Sequence, residues 1–290
     1  MKRNTIYALV TVMIWSTMAA VVKKMLFNMP NLQVLAVSSG FSFLFLLLVN
    51  WKNGSLKKWR NFSLRDYGVM SGLGMLGLFL YSALYYCGIA RLGAQVACIL
   101  NYLWPMMLML FSTLILKERL TVLKVLAMVC SFAGIVVLSA GNGGGEANTL
   151  LGMACCIVAA AGYGLFSVLN KKADLEQGMT MMVAWLTTTV CSAVLGLATE
   201  TWVPLQAGQW LGMLWLGVVV QAVGYLLWAV ALKGAKNTSM IANIAYLTPF
   251  LSLVVSAVLL KDPIESRAVA ALVLIIGGIL LQALFDRKRT

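Results

Sequence analysis

The sequence predicts an all-α membrane protein of ten transmembrane helices, arranged as two inverted five-helix repeats. Three observations predict it: a composition too apolar for water, a series of apolar segments each long enough to cross a bilayer, and a set of motifs that recurs 144 residues further along the chain. Of the 290 residues, 61% are hydrophobic and 11% charged. Soluble domains run at roughly 45–50% apolar and about 25% charged. A fold of this length could not hide the excess from water, so lipid is its natural solvent. A spanning helix needs about 20 apolar residues. The chain therefore holds about ten spans and leaves no room for a soluble catalytic domain.

The apolar segments fall, in order, at 4–22, 32–50, 67–89, 94–116, 121–140, 149–170, 178–198, 208–231, 236–260 and 266–285. The first follows a basic start, Met1-Lys2-Arg3-Asn4, which resembles a signal peptide. It runs on past Trp15 with no small-residue cleavage site and is followed by further spans, so it reads as a membrane helix. The third carries Tyr81 and Tyr85, and the fourth carries Asn101 and the run Tyr102-Leu103-Trp104-Pro105 before Lys117-Glu118. Behind the fifth lies Gly141-Asn142-Gly143-Gly144-Gly145, the most flexible composition in the chain and close to its midpoint. The expected organisation is a first repeat over 1–140, a linker over 141–148 and a second repeat over 149–290. The sixth segment carries Tyr163, the eighth Tyr225, and the ninth Tyr246-Leu247-Thr248-Pro249.

A net charge of +13 would suit nucleic acid, but the basic residues sit in short gaps between apolar stretches, as membrane topology requires. With the N-terminus in the cytoplasm, 17 of the 22 lysines and arginines fall on the cytoplasmic side. Only Lys23, Lys24, Arg91, Lys261 and Arg267 fall outside. That bias supports an even number of spans with both termini cytoplasmic, in a bacterial inner membrane.

The halves match residue by residue. Tyr102-Leu103-Trp104-Pro105 matches Tyr246-Leu247-Thr248-Pro249, Lys117-Glu118 matches Lys261-Asp262, Gly134 matches Gly278, and Tyr81 matches Tyr225. Near the start the offset becomes 148, where Trp15-Ser16 matches Tyr163-Gly164 and Lys23-Lys24 matches Lys171-Lys172. Five spans per half is an odd number, so the second half enters the membrane upside down. Inverted repeats let a central site open to each side in turn, which points to a transporter.

Pro105 and Pro249 interrupt their helices at matching places, and each releases the carbonyl four residues earlier, that of Asn101 or Ala245. Such a carbonyl must face protein or a wet cavity. Aromatic and amide residues recur in the spans expected to line the centre: Trp15, Tyr81, Tyr85, Asn101, Tyr102, Trp104, Tyr163, Asn170, Gln221, Tyr225, Trp228, Asn243 and Tyr246. Their faces can stack on a flat ligand or hold an ammonium group. Trp51, Trp59, Trp202 and Trp210 lie near span ends and read as interfacial. No span centre carries an Asp, Glu, Lys or Arg and the chain has no histidine, which argues against a buried proton relay. Lys23, Lys24, Lys171 and Lys172 read as helix-end residues that snorkel, with recognition of a substrate carboxylate as the sharper alternative. The six cysteines, Cys87, Cys98, Cys130, Cys155, Cys156 and Cys191, lie in apolar stretches without C-x-x-C spacing and read as small core hydrophobes. No metalloprotease or P-loop motif occurs, so neither an enzyme nor a cofactor or metal site is expected, and ATP-driven transport would need a partner chain.

The Trp-Ser-Thr of the first span, the paired Tyr-Leu-x-Pro and the Lys-Glu after the fourth span resemble the EamA-type branch of the drug/metabolite transporter superfamily, over nearly the whole chain. Ile14-Trp15-Ser16-Thr17-Met18, Asn101-Tyr102-Leu103-Trp104-Pro105 and Ser167-Val168-Leu169-Asn170-Lys171 are similar to its exporters of aromatic amino acids, although Tyr163 stands where these carry tryptophan. The resemblance implies ten helices around a central cavity and export of amino acids or related metabolites. The expectation is a monomeric exporter of a small neutral or zwitterionic metabolite, working by alternating access. Trp15, Tyr81, Asn101, Tyr102, Tyr163, Tyr225 and Tyr246 would contact the substrate, and Pro105 and Pro249 would shape the helices. A carrier of quaternary amines or nucleoside-like compounds, a channel and a non-transporting receptor stay open as alternatives.

Overall fold

The computed structural model describes residues 2–117, 126, 133, 147–233, 244–245, 247–261, 263–264, 266, 268–274 and 276–277. Among these, every regular element is a helix. Seven are long and apolar enough to cross a membrane: α1 (Arg3–Leu26), α2 (Asn31–Lys52), α3 (Leu64–Leu92), α4 (Ala94–Leu116), α5 (Asn148–Ala173), α6 (Gln177–Thr199) and α7 (Ala207–Lys233). A shorter apolar helix, α8, covers Leu247–Leu260. These match the segments expected at 4–22, 32–50, 67–89, 94–116, 149–170, 178–198 and 208–231 and the second half of 236–260. The segment at 121–140 apart from Leu126 and Ala133, half of that at 266–285, residues 141–146 of the linker, and Asn243 and Tyr246 lie outside the described residues.

Lipid gives the helices no hydrophobic reason to associate, so packing and hydrogen bonds must hold them together. The longest seam, between α2 and α6, is built of small polar residues. Thr189 donates to Ser39 across it (3.1 Å), while Ser39 and Thr188 also bond to their own helix carbonyls at 2.6 and 2.9 Å. At the end of this seam, Glu200 accepts from the backbone N–H of Leu32 (2.9 Å) and Gln33 (3.1 Å), satisfying the open first turn of α2 with a carboxylate. The Gln33 amide pairs with the backbone of Val203 in both directions, at 2.6 and 3.0 Å. Further inside, α5 lies against α3 and α4, and α1 against α7.

Four spans depart from α-helical winding near their middles. α1 breaks at Ser16 and Thr17, whose hydroxyls bond back to Met13 O (2.7 Å) and Ile14 O (2.8 Å). α3 winds as a π-helix over Met75–Leu80 and returns to α at Tyr81, and α7 does so over Trp215–Gly224 and returns at Tyr225. α4 breaks after Asn101 and resumes at Trp104, with Pro105 in the new first turn. The proline thus sits at a true interruption rather than a bend. Its missing N–H is harmless there, because first-turn N–H groups have no helical partner. In α8, Pro249 also falls in the first turn. Irregular backbone at membrane depth is tolerated only where protein or a cavity surrounds it.

The cysteines divide. Cys98, Cys155 and Cys156 are buried, as core residues should be, but Cys87 and Cys191 are only half-buried. Cys87 reaches the thiol of Cys155 (3.5 Å) and the guanidinium of Arg91 (2.7 Å), contacts that the reading as small core hydrophobes did not anticipate. Helical periodicity places each cysteine on a face but does not reveal which face of another helix it meets. Cys130 lies outside the described residues.

Candidate functional site

The irregular stretches converge. Trp15 at the break in α1, Tyr81 and Tyr225 at the ends of the two π-helical stretches, Asn101 and Tyr102 at the break in α4, and Tyr163 in the middle of α5 all line one cavity. Met18, Tyr85, Cys98, Trp104 and Thr248 complete the wall. The cavity holds ≈ 30 Å³, and one ordered water needs about 10–15 Å³. It is closed to anything much larger than water, with Trp15 at 9% exposure and the remaining aromatic rings of the wall lower still.

Trp15 is the hub of this wall. Its ring centroid lies 5.1 Å from Tyr225, 5.3 Å from Trp228, 6.2 Å from Tyr163 and 6.4 Å from Trp104. Tyr163 stands 4.9 Å from Tyr81 and 5.1 Å from Trp104, the latter edge to face. Edge-to-face packing sets the positive rim of one ring against the negative face of the next. Trp15 meets Trp104, Tyr163 and Tyr225 this way, while Trp15–Trp228 and Tyr81–Tyr163 are tilted and Tyr81–Tyr85 is stacked, and no charged side chain lines the wall. Tyrosine hydroxyls, indole N–H groups, Thr248 and Asn101 supply the polar groups of the wall. Asn101 Nδ2 donates to the Tyr81 hydroxyl (3.0 Å), fixing the amide's orientation. Asn101 Oδ1 and the indole Nε1 atoms of Trp15 and Trp228 are buried without a partner in the protein. An unmatched buried polar group costs about 1–3 kcal/mol, so each of these atoms is open to a partner that can pair with it.

A second cavity of ≈ 40 Å³ shares Tyr163 and Tyr225 with the first. It is lined further by Ser112, Phe166, Ser167, Asn170, Lys171, Gln177, Trp228 and Lys233. A polar chain crosses this end. Asn170 Nδ2 donates to Gln177 Oε1 (2.9 Å), Gln177 Nε2 to Leu175 O (3.2 Å), and Lys233 Nζ to Leu175 O (3.1 Å). Lys233 also pairs with Asp174 at 2.9 Å, and its hydrogen bond and positive charge hold that carboxyl below the usual carboxylate range.

Of the residues picked from sequence, Trp15, Tyr81, Tyr85, Asn101, Tyr102, Trp104, Tyr163 and Tyr225 meet in the first cavity, while Tyr246 lies outside the described residues. Asn170 lines the second cavity instead. Gln221 lines neither and donates to Ser38 (3.0 Å) and Tyr86 (3.3 Å) between α7, α2 and α3. Sequence reasoning missed Met18 and Cys98, which carry no chemical signal. Thr248 was legible only as the variable position of Tyr-Leu-x-Pro. Trp51, Trp59 and Trp210 are exposed, in keeping with interfacial roles.

Comparison with known proteins places these features in context. The EamA-like transporter family matches residues 3–140 and 150–284. The uncharacterized transporter YvbV of Bacillus subtilis is 30% identical, over 71% of this chain and 68% of that protein. The aromatic amino acid exporter YddG of Ancylobacter novellus is 25% identical, over 74% of this chain and 76% of its own length. A Salmonella typhimurium protein named "Probable amino-acid metabolite efflux pump" is 24% identical over 99% of this chain and 97% of its own. A crystal structure with 21% identity superposes with a TM-score of 0.77, covering 98% of this chain and 97% of that one, which shows a shared fold.

Proposed function

The chain belongs to the EamA-like transporter family, and from that premise we propose that it exports small neutral or zwitterionic metabolites, foremost amino acids with aromatic or other hydrophobic side chains. One observation carries the reading. The central cavity joins an uncharged aromatic wall to a buried acceptor, Asn101 Oδ1, and a buried donor, Trp15 Nε1, neither matched within the protein, and Trp228 Nε1, beside Trp15 on the wall of the second cavity, is a further unmatched donor.

A zwitterion answers each of these groups. Its ammonium donates to Asn101 Oδ1, its carboxylate accepts from an indole N–H, and its side chain lies against the tyrosine rings. A ligand with a net negative charge would be buried without a counter-charge, at large cost. The cavity is smaller than any amino acid, so the aromatic rings must part to admit one, as a carrier that closes around its cargo requires. In this reading the chain works alone, by alternating access between two inverted five-helix halves, with ten spans and both termini in the cytoplasm of a bacterial inner membrane. The lysine and arginine partition supports that topology. Support for the halves comes from the matching left-handed residues Lys117 and Lys261, and from π-helical stretches that end at the matching tyrosines Tyr81 and Tyr225.

The box of Trp15, Trp104, Trp228 and Tyr163 would also suit a quaternary ammonium group. A panel of labelled solutes in proteoliposomes decides between these. Saturable uptake and counterflow of tryptophan, phenylalanine or leucine is expected. Preference for choline-like cations would replace the amino-acid reading, and flux without saturation or counterflow would make the protein a channel.

A further inference from the structure

Away from the cavity, the most reactive chemistry in the described residues lies one turn before the end of α3. The Cys87 sulfur, half-buried, sits 3.5 Å from the sulfur of Cys155 on α5. Arg91, one turn further along α3 and exposed, donates from Nη1 to the same sulfur (2.7 Å) and to Cys87 O (3.3 Å). A disulfide needs the sulfurs about 2.05 Å apart, so the pair must close by about 1.5 Å from its 3.5 Å contact. The thiolate is the nucleophile in thiol chemistry, and a neighbouring arginine favours such reactions by balancing its charge. The remaining buried cysteines are placed differently. Cys98 lines the central cavity, and Cys156 is fully buried.

We propose that Cys87 and Cys155 form a redox-active thiol pair, which small-molecule disulfides oxidise to a bond tying α3 to α5. The Cys87 thiolate attacks one sulfur of R–S–S–R and expels RS⁻, which takes up a proton. The Cys155 thiol gives its proton to water, attacks Cys87 Sγ in the mixed disulfide and expels the second RS⁻, which takes up that proton. Two protein thiols are oxidised and one R–S–S–R is reduced to two RSH. Arg91 is a positioning residue, holding the Cys87 sulfur toward its partner and setting positive charge beside it. The bond would fix the two helices that carry Tyr81 and Tyr163, whose rings face each other across the cavity at 4.9 Å. The pairing stands on the thiol geometry and is independent of what the cavity carries.

The test uses the full chain in detergent, treated with oxidised glutathione, alkylated at its free thiols, digested and mapped by mass spectrometry. The expected product is a Cys87 peptide joined to a Cys155 peptide in most chains, reversed by dithiothreitol. The bond should form about tenfold more slowly in Arg91→Ala. Cys87→Ser and Cys155→Ser should each abolish it, and the wild-type map holds whether or not those variants fold. Glutathione trapped on Cys87 without a crosslink, linkage to Cys98 or Cys156, bonds only between separate chains, or no oxidation would each overturn the proposal.

Discussion

Lys117 and Lys261 stand 144 residues apart and hold nearly the same left-handed backbone, with φ of 57° and 58°. Each directly follows an apolar helix, α4 or α8, and the Lys117 N–H reaches back to Ser112 O. Side-chain-bearing residues avoid this region, at a cost of roughly 1–2 kcal/mol. That two lysines accept it at matching points shows the same helix-ending device used twice, with the cationic side chain near the negative end of a helix dipole.

Glycine should therefore fit better at both points. Lys117→Gly and Lys261→Gly are each expected to stabilise the detergent-solubilised protein by about 0.5–1 kcal/mol, read as a higher thermal midpoint, with the two effects adding in the double variant. A drop in midpoint for either would mean that the lysine side chain outweighs the backbone strain.

The spans approach closely where side chains are absent. A Cβ on Gly74 would lie 2.5 Å from Ala184 O, and one on Gly217 would meet Ser38 O. Backbone cannot step aside as a side chain can. Gly74→Ala and Gly217→Ala should each cost about 1–3 kcal/mol, read as a reduced folded fraction in fluorescence-detected size exclusion.

Removing one wall of the cavity should stop transport without unfolding the protein. Tyr163→Ala and Asn101→Ala are expected to lower amino-acid flux at least tenfold, with expression and monodispersity preserved. Unchanged flux in both variants would count against the assigned pocket.

Trp15→Phe keeps an aromatic ring and deletes the indole donor. If that donor meets a carboxylate, the charge-assisted bond is worth about 1.5–3 kcal/mol. The KM for the transported amino acid should then rise roughly tenfold or more, while inhibition by the matching amine without a carboxylate changes little. Equal changes for both would place the carboxylate elsewhere.

The Asp174–Lys233 pair sets a weak pH dependence. Lys233 lowers the Asp174 carboxyl below its ordinary value of 3.8, so the pair's contribution is present above that value and is lost as pH falls through the lowered one. With side-chain exposures of 46% and 80%, solvent screens most of it. Lys233→Met should flatten the acid limb of the stability profile by less than either glycine-to-alanine variant shifts the midpoint, and added salt should act in the same direction.

The long apolar helices were legible in the sequence because hydropathy is a local property that lipid enforces. Eight cavity residues were legible too. Trp15, Tyr81, Tyr85, Asn101, Tyr102, Trp104, Tyr163 and Tyr225 combine polarity or aromaticity with positions inside the spans, where such groups need a reason to be. Other features depend on how helices meet, which no single-chain pattern encodes. Cys87 and Cys155 pair across α3 and α5, Met18 and Cys98 join the wall as ordinary apolar residues, and Gln221 turns aside to Ser38. The π-helical stretches were hidden as well, since Met75–Leu80 and Trp215–Gly224 have the composition of any apolar helix.

Those loosely wound stretches give α3 and α7 a degree of freedom that a straight rod lacks. Tyr81 and Tyr225 each sit at the seam where wide winding gives way to tight. Sliding a seam by a single residue turns its ring about 100° around the helix axis, with neither span needing to tilt. The chamber could thus be re-lined by torsion alone, like a key turned in place.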